Sequence, residues 1–244
     1  VKRRLSDADE LAFWHLGRHA STWDDHRVGL QSVQVVDGWA WASDSFRMLC
    51  VPVEATWSGS VHRSDALRGG TVEVAGVDDD TMTLFRRSAD QMAAGCHHDV
   101  DTIPVADIAG WRRWLHRAPR WDAPDLAGQW DTAAMIAPGS VFGDSTMPLV
   151  VMPGPGPVTR SGPCMATVRP AAVQAPYLAQ LATALHDLSG LPVTISGAAP
   201  HPLILQPAAW DDPPGLLPWG ALMPVRIRGG YASWPRPTLE AAPR

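Results

Sequence analysis

The chain has 244 residues, a formal net charge of −5 from 20 basic and 25 acidic side chains, and 45% hydrophobic residues. That size allows one large domain or two ordinary ones, and no apolar run reaches the roughly 18 residues of a membrane span. Three widely spaced cysteines (Cys50, Cys96 and Cys164) argue against a disulfide framework and for reduced thiols, while the acidic balance supports nucleic-acid binding only if basic groups gather on one face.

The basic start, Val1-Lys2-Arg3-Arg4, is not followed by the apolar stretch of a signal peptide, so a cytoplasmic protein is expected. Ser6 fits a helix N-cap with acids in the first turn, and Leu5, Ala8, Ala12, Leu16 and Ala20 keep helical spacing over about 7–20. A polar loop, 21–27, should follow. Leu30 to Val36 then reads as a strand, Asp37-Gly38 as a hairpin turn, Trp39 to Ser43 as the return strand and Phe46 to Val53 as the next. Val61 to Arg68 fits a short helix stopped by Gly69-Gly70. Thr71 to Ala75 and Thr81 to Arg86 alternate with period two around Asp78-Asp79-Asp80, which predicts a second hairpin.

The second half is less regular. Ala109 to Ala118 is expected to be helical, and 119–143 carries no assignable pattern. Strands are expected at Met147–Met152 and Met165–Arg169, with a rigid Pro-Gly turn at 153–157. The clearest helix is Ala175 to Leu188, closed by Gly190, and Val193–Ile195, His201–Gln206 and Gly220–Arg228 read as closing strands. Helix-then-strands thus recurs about twice in each half. The expected class is α+β, with two similar domains at 1–105 and 106–228, each with two helices packed on antiparallel sheets, and a tail at 229–244.

Two segments point to a function. One is Ala42-Ser43-Asp44-Ser45-Phe46-Arg47-Met48, preceded by Asp24-Asp25-His26-Arg27-Val28-Gly29-Leu30. The other is Ala221-Leu222-Met223-Pro224-Val225-Arg226-Ile227 near the end. The first resembles the Asp-x-x-Arg-x-x-Leu run, hairpin and Ala-Thr-Asp-Gly-His-Arg-Leu segment in the middle domain of the bacterial DNA polymerase III β sliding clamp. The stretch from Val168 to Ile227 resembles the last domain of that family, ending in its Met-Pro-x-Arg-hydrophobic signature. The family's Gly-His pair is Ser45-Phe46 here.

The resemblance implies a non-enzymatic scaffold without cofactor, metal or catalytic residues, of a kind that a phage or plasmid could encode. Its partners would be double-stranded DNA, held without sequence preference, and DNA polymerases or other proteins carrying clamp-binding motifs. It implies a peptide pocket lined by Leu30, Ser43, Arg47 and Met48 from the first half and Leu222, Met223, Pro224, Val225 and Arg226 from the second. An extended peptide needs such an apolar cleft with a few polar groups to fix its register. A clamp ring contains six similar domains, so two-domain chains would close it as a homo-trimer with DNA-facing helices. Arg18, Arg63, Arg68, Arg112, Arg113 and Arg117 are the lining candidates, making salt-sensitive phosphate contacts. A clamp-like protein-binding module that never closes a ring is the alternative. The most enzyme-like cluster, Cys96-His97-His98-Asp99 with Asp101, offers metal-ligand types but no second cluster at fitting spacing, and reads as a polar loop before Pro104.

Overall fold

A computed structural model describes residues 1–22, 28–95, 103–105, 135–138, 148–152, 171–191, 193–196, 202–207 and 217–223. Its strands are β1 (Lys2–Arg4), β2 (Ser32–Val36), β3 (Trp39–Ser43), β4 (Arg47–Pro52), β5 (Gly59–His62), β6 (Thr71–Ala75), β7 (Ile103–Val105), β8 (Met135–Pro138), β9 (Pro148–Met152), β10 (Ala171–Gln174), β11 (Val193–Ser196), β12 (Leu203–Pro207) and β13 (Trp219–Leu222). The helices are α1 (Asp7–His19), α2 (Arg63–Arg68), α3 (Asp79–Gly95) and α4 (Ala175–Ser189).

Ser6 caps α1 by accepting the Asp9 N–H at 3.2 Å, as its position before three acidic residues predicts. Asp37 and Gly38 both have positive φ, 53° and 78°. That is the backbone of a tight two-residue hairpin turn, and it sets Val36 opposite Trp39. Gly69 closes α2 at φ 71°, and Gly190 follows α4 at φ 70°.

Ten strands form one antiparallel sheet in the order β1-β6-β5-β2-β3-β4-β13-β12-β11-β7, and β10-β9-β8 form a smaller one. The two halves of the chain meet inside the large sheet, where β4 pairs with β13. β7 ends at the domain boundary expected near 105, yet it pairs with β11 of the second half. Strand alternation divides the side chains between two faces. One face carries Val33, Val35, Ala40, Ala42, Leu49, Val51, Leu203, Leu205 and Leu222. These pack with Phe13 and Leu16 of α1, Ala66 of α2, and Leu178, Leu181 and Leu185 of α4. The other face carries Met48, Ile204 and Ala221, which pack with Leu30 and with Met82 and Phe85 of α3.

Several expectations are corrected. Thr81 to Arg86 is not a strand but part of α3. Asp78 accepts the Thr81 N–H at 3.1 Å and so caps a helix, and Met82 and Phe85, three residues apart, share its buried face while Leu84 is exposed. Leu30-Gln31 belongs to a 3-10 turn, Val28–Gln31, and the strand begins at Ser32. Val61 and His62 end β5, and the helix starts one residue later with the His62 ring as its cap. The unassigned stretch contains β8, and β10 was not expected. The predicted helix 109–118, strand 165–169, Pro-Gly turn 153–157, residues 224–228 of the last strand and the tail lie outside the described residues, as does Cys96 to Asp101.

Candidate peptide-binding seam

At the junction of the two halves, Met48 lies opposite Ala221 and Arg47 opposite Leu222. The pairing continues past the strands, because the Met223 N–H donates to the Phe46 carbonyl at 2.8 Å. The segment carrying Ser43-Asp44-Ser45-Phe46-Arg47-Met48 therefore runs beside the one carrying Leu222-Met223.

The turn between β3 and β4 is held by its own side chains. Asp44 Oδ1 accepts the N–H groups of Phe46 and Arg47, each at 3.1 Å. The Ser43 hydroxyl donates to the Arg47 carbonyl at 2.8 Å and accepts the Ser45 N–H at 3.1 Å. Ser45 sits at φ 74°, left-handed backbone that favours glycine.

Arg47 is 7% exposed and joins elements from both halves. Its Nε donates to Asp44 Oδ2 at 2.9 Å, one terminal nitrogen donates to the Gln180 side-chain oxygen on α4, and the other donates to the Arg18 carbonyl at the end of α1 at 3.1 Å. The guanidinium lies 4.5 Å from the Tyr177 ring centre. Burial pulls the Arg47 pKa below its ordinary value, and Asp44 opposes that shift. Burial, then the Asp44 charge, raise the Tyr177 phenol. His19 is also buried here; its Nδ1 donates to the His15 carbonyl at 2.8 Å. Burial, then Arg47, hold its pKa well below the usual imidazole value.

The described members of the expected pocket fall into three places. Leu30 and Met48 are 4% and 5% exposed beneath α3. Leu222 is in the main core with α4, on the face toward which its partner Arg47 points. Met223 is exposed (43%), as is Phe46 (54%), which stacks on Tyr177 with ring centres 6.1 Å apart. Ser43 is buried within the turn. Pro224, Val225 and Arg226 lie outside the described residues.

Tyr177 and Gln180 carry no motif. The signal that marks them is their spacing, three apart on α4, flanking the buried stripe of Leu178, Leu181 and Leu185. Met82 and Phe85 follow a helical step rather than the strand alternation expected of 81–86.

Of the arginines expected to face DNA, Arg18 is exposed on α1 and stacks over Trp14 at 4.7 Å. Arg68 pairs with Asp65 at 3.0 Å. Arg63 is half-buried, with its Nε unpartnered. Arg112, Arg113 and Arg117 lie outside the described residues. Among the described residues no helix is long and apolar enough to cross a membrane, and no three His, Cys, Asp or Glu side chains could together hold a metal.

No protein-family model matches the sequence, and no curated protein matches it either. Solved structures do. The sliding clamp (DNA polymerase III subunit beta) of Bartonella birtlesii, solved bound to griselimycin, superposes with a TM-score of 0.51 at 15% identity, covering 93% of this chain and 66% of that one. The sliding clamp of Pseudomonas aeruginosa, solved with a ligand, gives a TM-score of 0.50 at 12% identity with the same coverage. The chain spans just under two thirds of the length of these clamps, and over that length it has the α+β fold of a bacterial DNA polymerase sliding clamp.

Proposed function

We propose that this chain is a sliding-clamp-like tethering factor without catalytic activity, which holds short linear motifs of DNA polymerases or repair proteins at the seam between its two halves. The observation that carries the reading is the β4–β13 pairing, which sets Leu222 opposite Arg47 and ties Met223 to Phe46. Exposed Phe46 and Met223 supply apolar anchors at the end of that seam. The buried Arg47 network makes the turn beneath them rigid, so little ordering cost accompanies docking. The ligand-bound state of the two clamps of like fold is in keeping with a clamp that takes small partners.

The test is a peptide carrying the clamp-binding motif of a bacterial replicative polymerase. Phe46→Ala with Met223→Ala removes two exposed side chains, so the fold is expected to persist while peptide affinity falls at least tenfold by fluorescence anisotropy. Unchanged affinity in a folded double variant refutes the assignment.

DNA encirclement is the second part of the proposal. Two-domain copies would complete six domains as a trimer, with α1, α2 and α4 toward the duplex. Light scattering at three chain masses, with retention on nicked circular plasmid and release on linearisation, is the expected result. One observation favours the alternative, a clamp-like module that does not surround DNA. The outer surface of α1 exposes Leu11 (45%) and Trp14 (39%) beside its single arginine, and Arg68 of α2 is neutralised by Asp65. A monomer or dimer with no topological retention decides for that reading.

A further inference from the structure

The apolar surface opposite the main core already has an occupant. Leu30, Met48 and Ala221 share one buried apolar cluster with Met82 and Phe85 of α3, both 3% exposed, and Trp41, Trp219 and Ala89 border it. Phe85 stacks on Trp41 with ring centres 6.0 Å apart and planes 14° from parallel. Trp41 meets Trp219 edge-on at 5.8 Å. Among the described residues the cover is α3, with two large anchors, and its outer side presents Thr83, Leu84, Arg86 and Arg87 to solvent.

The start of α3 is pinned to the sheet. The Asp78 N–H donates to Gln34 Oε1 at 3.1 Å, and Gln34 Nε2 donates to the Gly29 carbonyl at 3.3 Å. Asp78 also accepts the Thr81 N–H and hydroxyl, each at 3.1 Å. The 3-10 turn comes so close that a Cβ on Gly29 would lie 1.9 Å from Thr81 Oγ1 and 2.0 Å from Asp78 Oδ2. α3 is therefore held at its first turn by polar contacts, and from there to Ala89 by the apolar contacts of Met82 and Phe85.

We infer that α3 is a built-in occupant of the peptide site, its Met82 and Phe85 seated on Leu30, Met48 and Ala221, so that a partner's apolar side chains reach this surface only when α3 lifts about its Asp78 anchor. The inference rests on the peptide-site reading above. It follows from where these residues sit: two of the side chains expected to line the pocket, Leu30 and Met48, are inaccessible while α3 is down. A tethering factor built this way is closed until a partner competes with its own helix, and its apparent affinity is reduced by the fraction of time the helix is seated.

Two measurements test this, both on the full chain with the labelled polymerase-motif peptide. Met82→Ala with Phe85→Ala is expected to bind the peptide at least tenfold more tightly than the parent. On the parent, saturating peptide is expected to raise amide hydrogen exchange across residues 79–89 at least tenfold while α1 and β2 to β4 stay protected. Equal or weaker binding by the folded variant, or binding with exchange of α3 unchanged, overturns the inference and leaves the peptide site standing. No binding by either protein overturns both. If circular dichroism shows the double variant unfolded, the exchange experiment on the parent decides alone.

Discussion

Arg47→Met is the substitution that best tests how the two halves are joined. Methionine keeps most of the stem volume but removes every polar contact of the guanidinium. The Arg18 carbonyl, Gln180 and one oxygen of Asp44 lose a donor, and Tyr177 loses the cation over its ring. Removing one member of a buried ion pair costs about 3–5 kcal/mol where the other is left sealed from water. Asp44 is 15% exposed and still accepts two backbone N–H groups, so its loss is only partial. The desolvation that depresses the Arg47 pKa is also relieved. A net destabilisation of about 2–3 kcal/mol is expected. In urea, with an m-value of about 2 kcal/mol/M, that lowers the midpoint by roughly 1–1.5 M. Arg47→Lys keeps a charge but not the planar fork that reaches three acceptors at once, so it should recover no more than about half of the loss. A double-mutant cycle with Gln180→Ala should give a coupling of at least about 0.5 kcal/mol. A loss under about 0.5 kcal/mol for Arg47→Met would refute the claim that this side chain ties the halves together.

Two other perturbations follow from the same region. His19 is held neutral in the folded chain by burial and by Arg47, so below the ordinary imidazole value of about 6.5 the unfolded chain binds a proton that the folded one does not. Stability is expected to be unaffected by this group above about pH 7 and to fall below pH 6.5 by up to about 1.4 kcal/mol per pH unit. His19→Gln should remove that slope from the urea-measured pH profile, and parallel profiles would contradict it. Gly220 of β13 packs so tightly on α4 that a Cβ would lie 2.6 Å from Leu181 Cδ1 and 2.9 Å from its Cγ. Gly220→Ala should therefore cost about 1–3 kcal/mol, seen as a drop of roughly 3–10 °C in Tm for a chain of this size. An unchanged Tm would mean the two elements are not in close contact.

Much of the fold was legible because its signals are local. Ser6 before three acids, Asp37-Gly38 between two alternating runs, and the leucines of α4 closed by Gly190 each specify one structure and find it. Thr81 to Arg86 was not legible, for a physical reason. Met82 and Leu84 fit a strand's alternation as readily as Met82 and Phe85 fit a helix's three-residue step, so six residues cannot separate the two periods. What decides is Asp78, whose carboxylate caps the first turn, and the apolar patch on the sheet that receives the helix. The seam was legible only as two segments. Nothing in the spacing of Arg47 reveals that its partners are Gln180 and the end of α1, 133 and 29 residues away.

The alternation of strands also limits which residues can form one site. Neighbours on a strand point to opposite faces, so the consecutive pair Arg47-Met48 and its partners Leu222-Ala221 cannot all line a single cleft. The pairing sends Arg47 and Leu222 toward α1 and α4, and sends Met48 and Ala221 toward α3. A docked peptide can therefore draw on only one set. The helix-side set is sealed: Leu222 is 1% exposed, and Arg47 is 7% exposed with each of its three nitrogens bonded within the protein. Among the described residues the opposite set has α3 above it, and Met223 is exposed at its edge. Arg47 thus serves the site by fixing the turn rather than by touching a ligand. Its loss should lower stability more than it lowers peptide affinity, whereas Met48→Ala should weaken the peptide directly once α3 is out of the way.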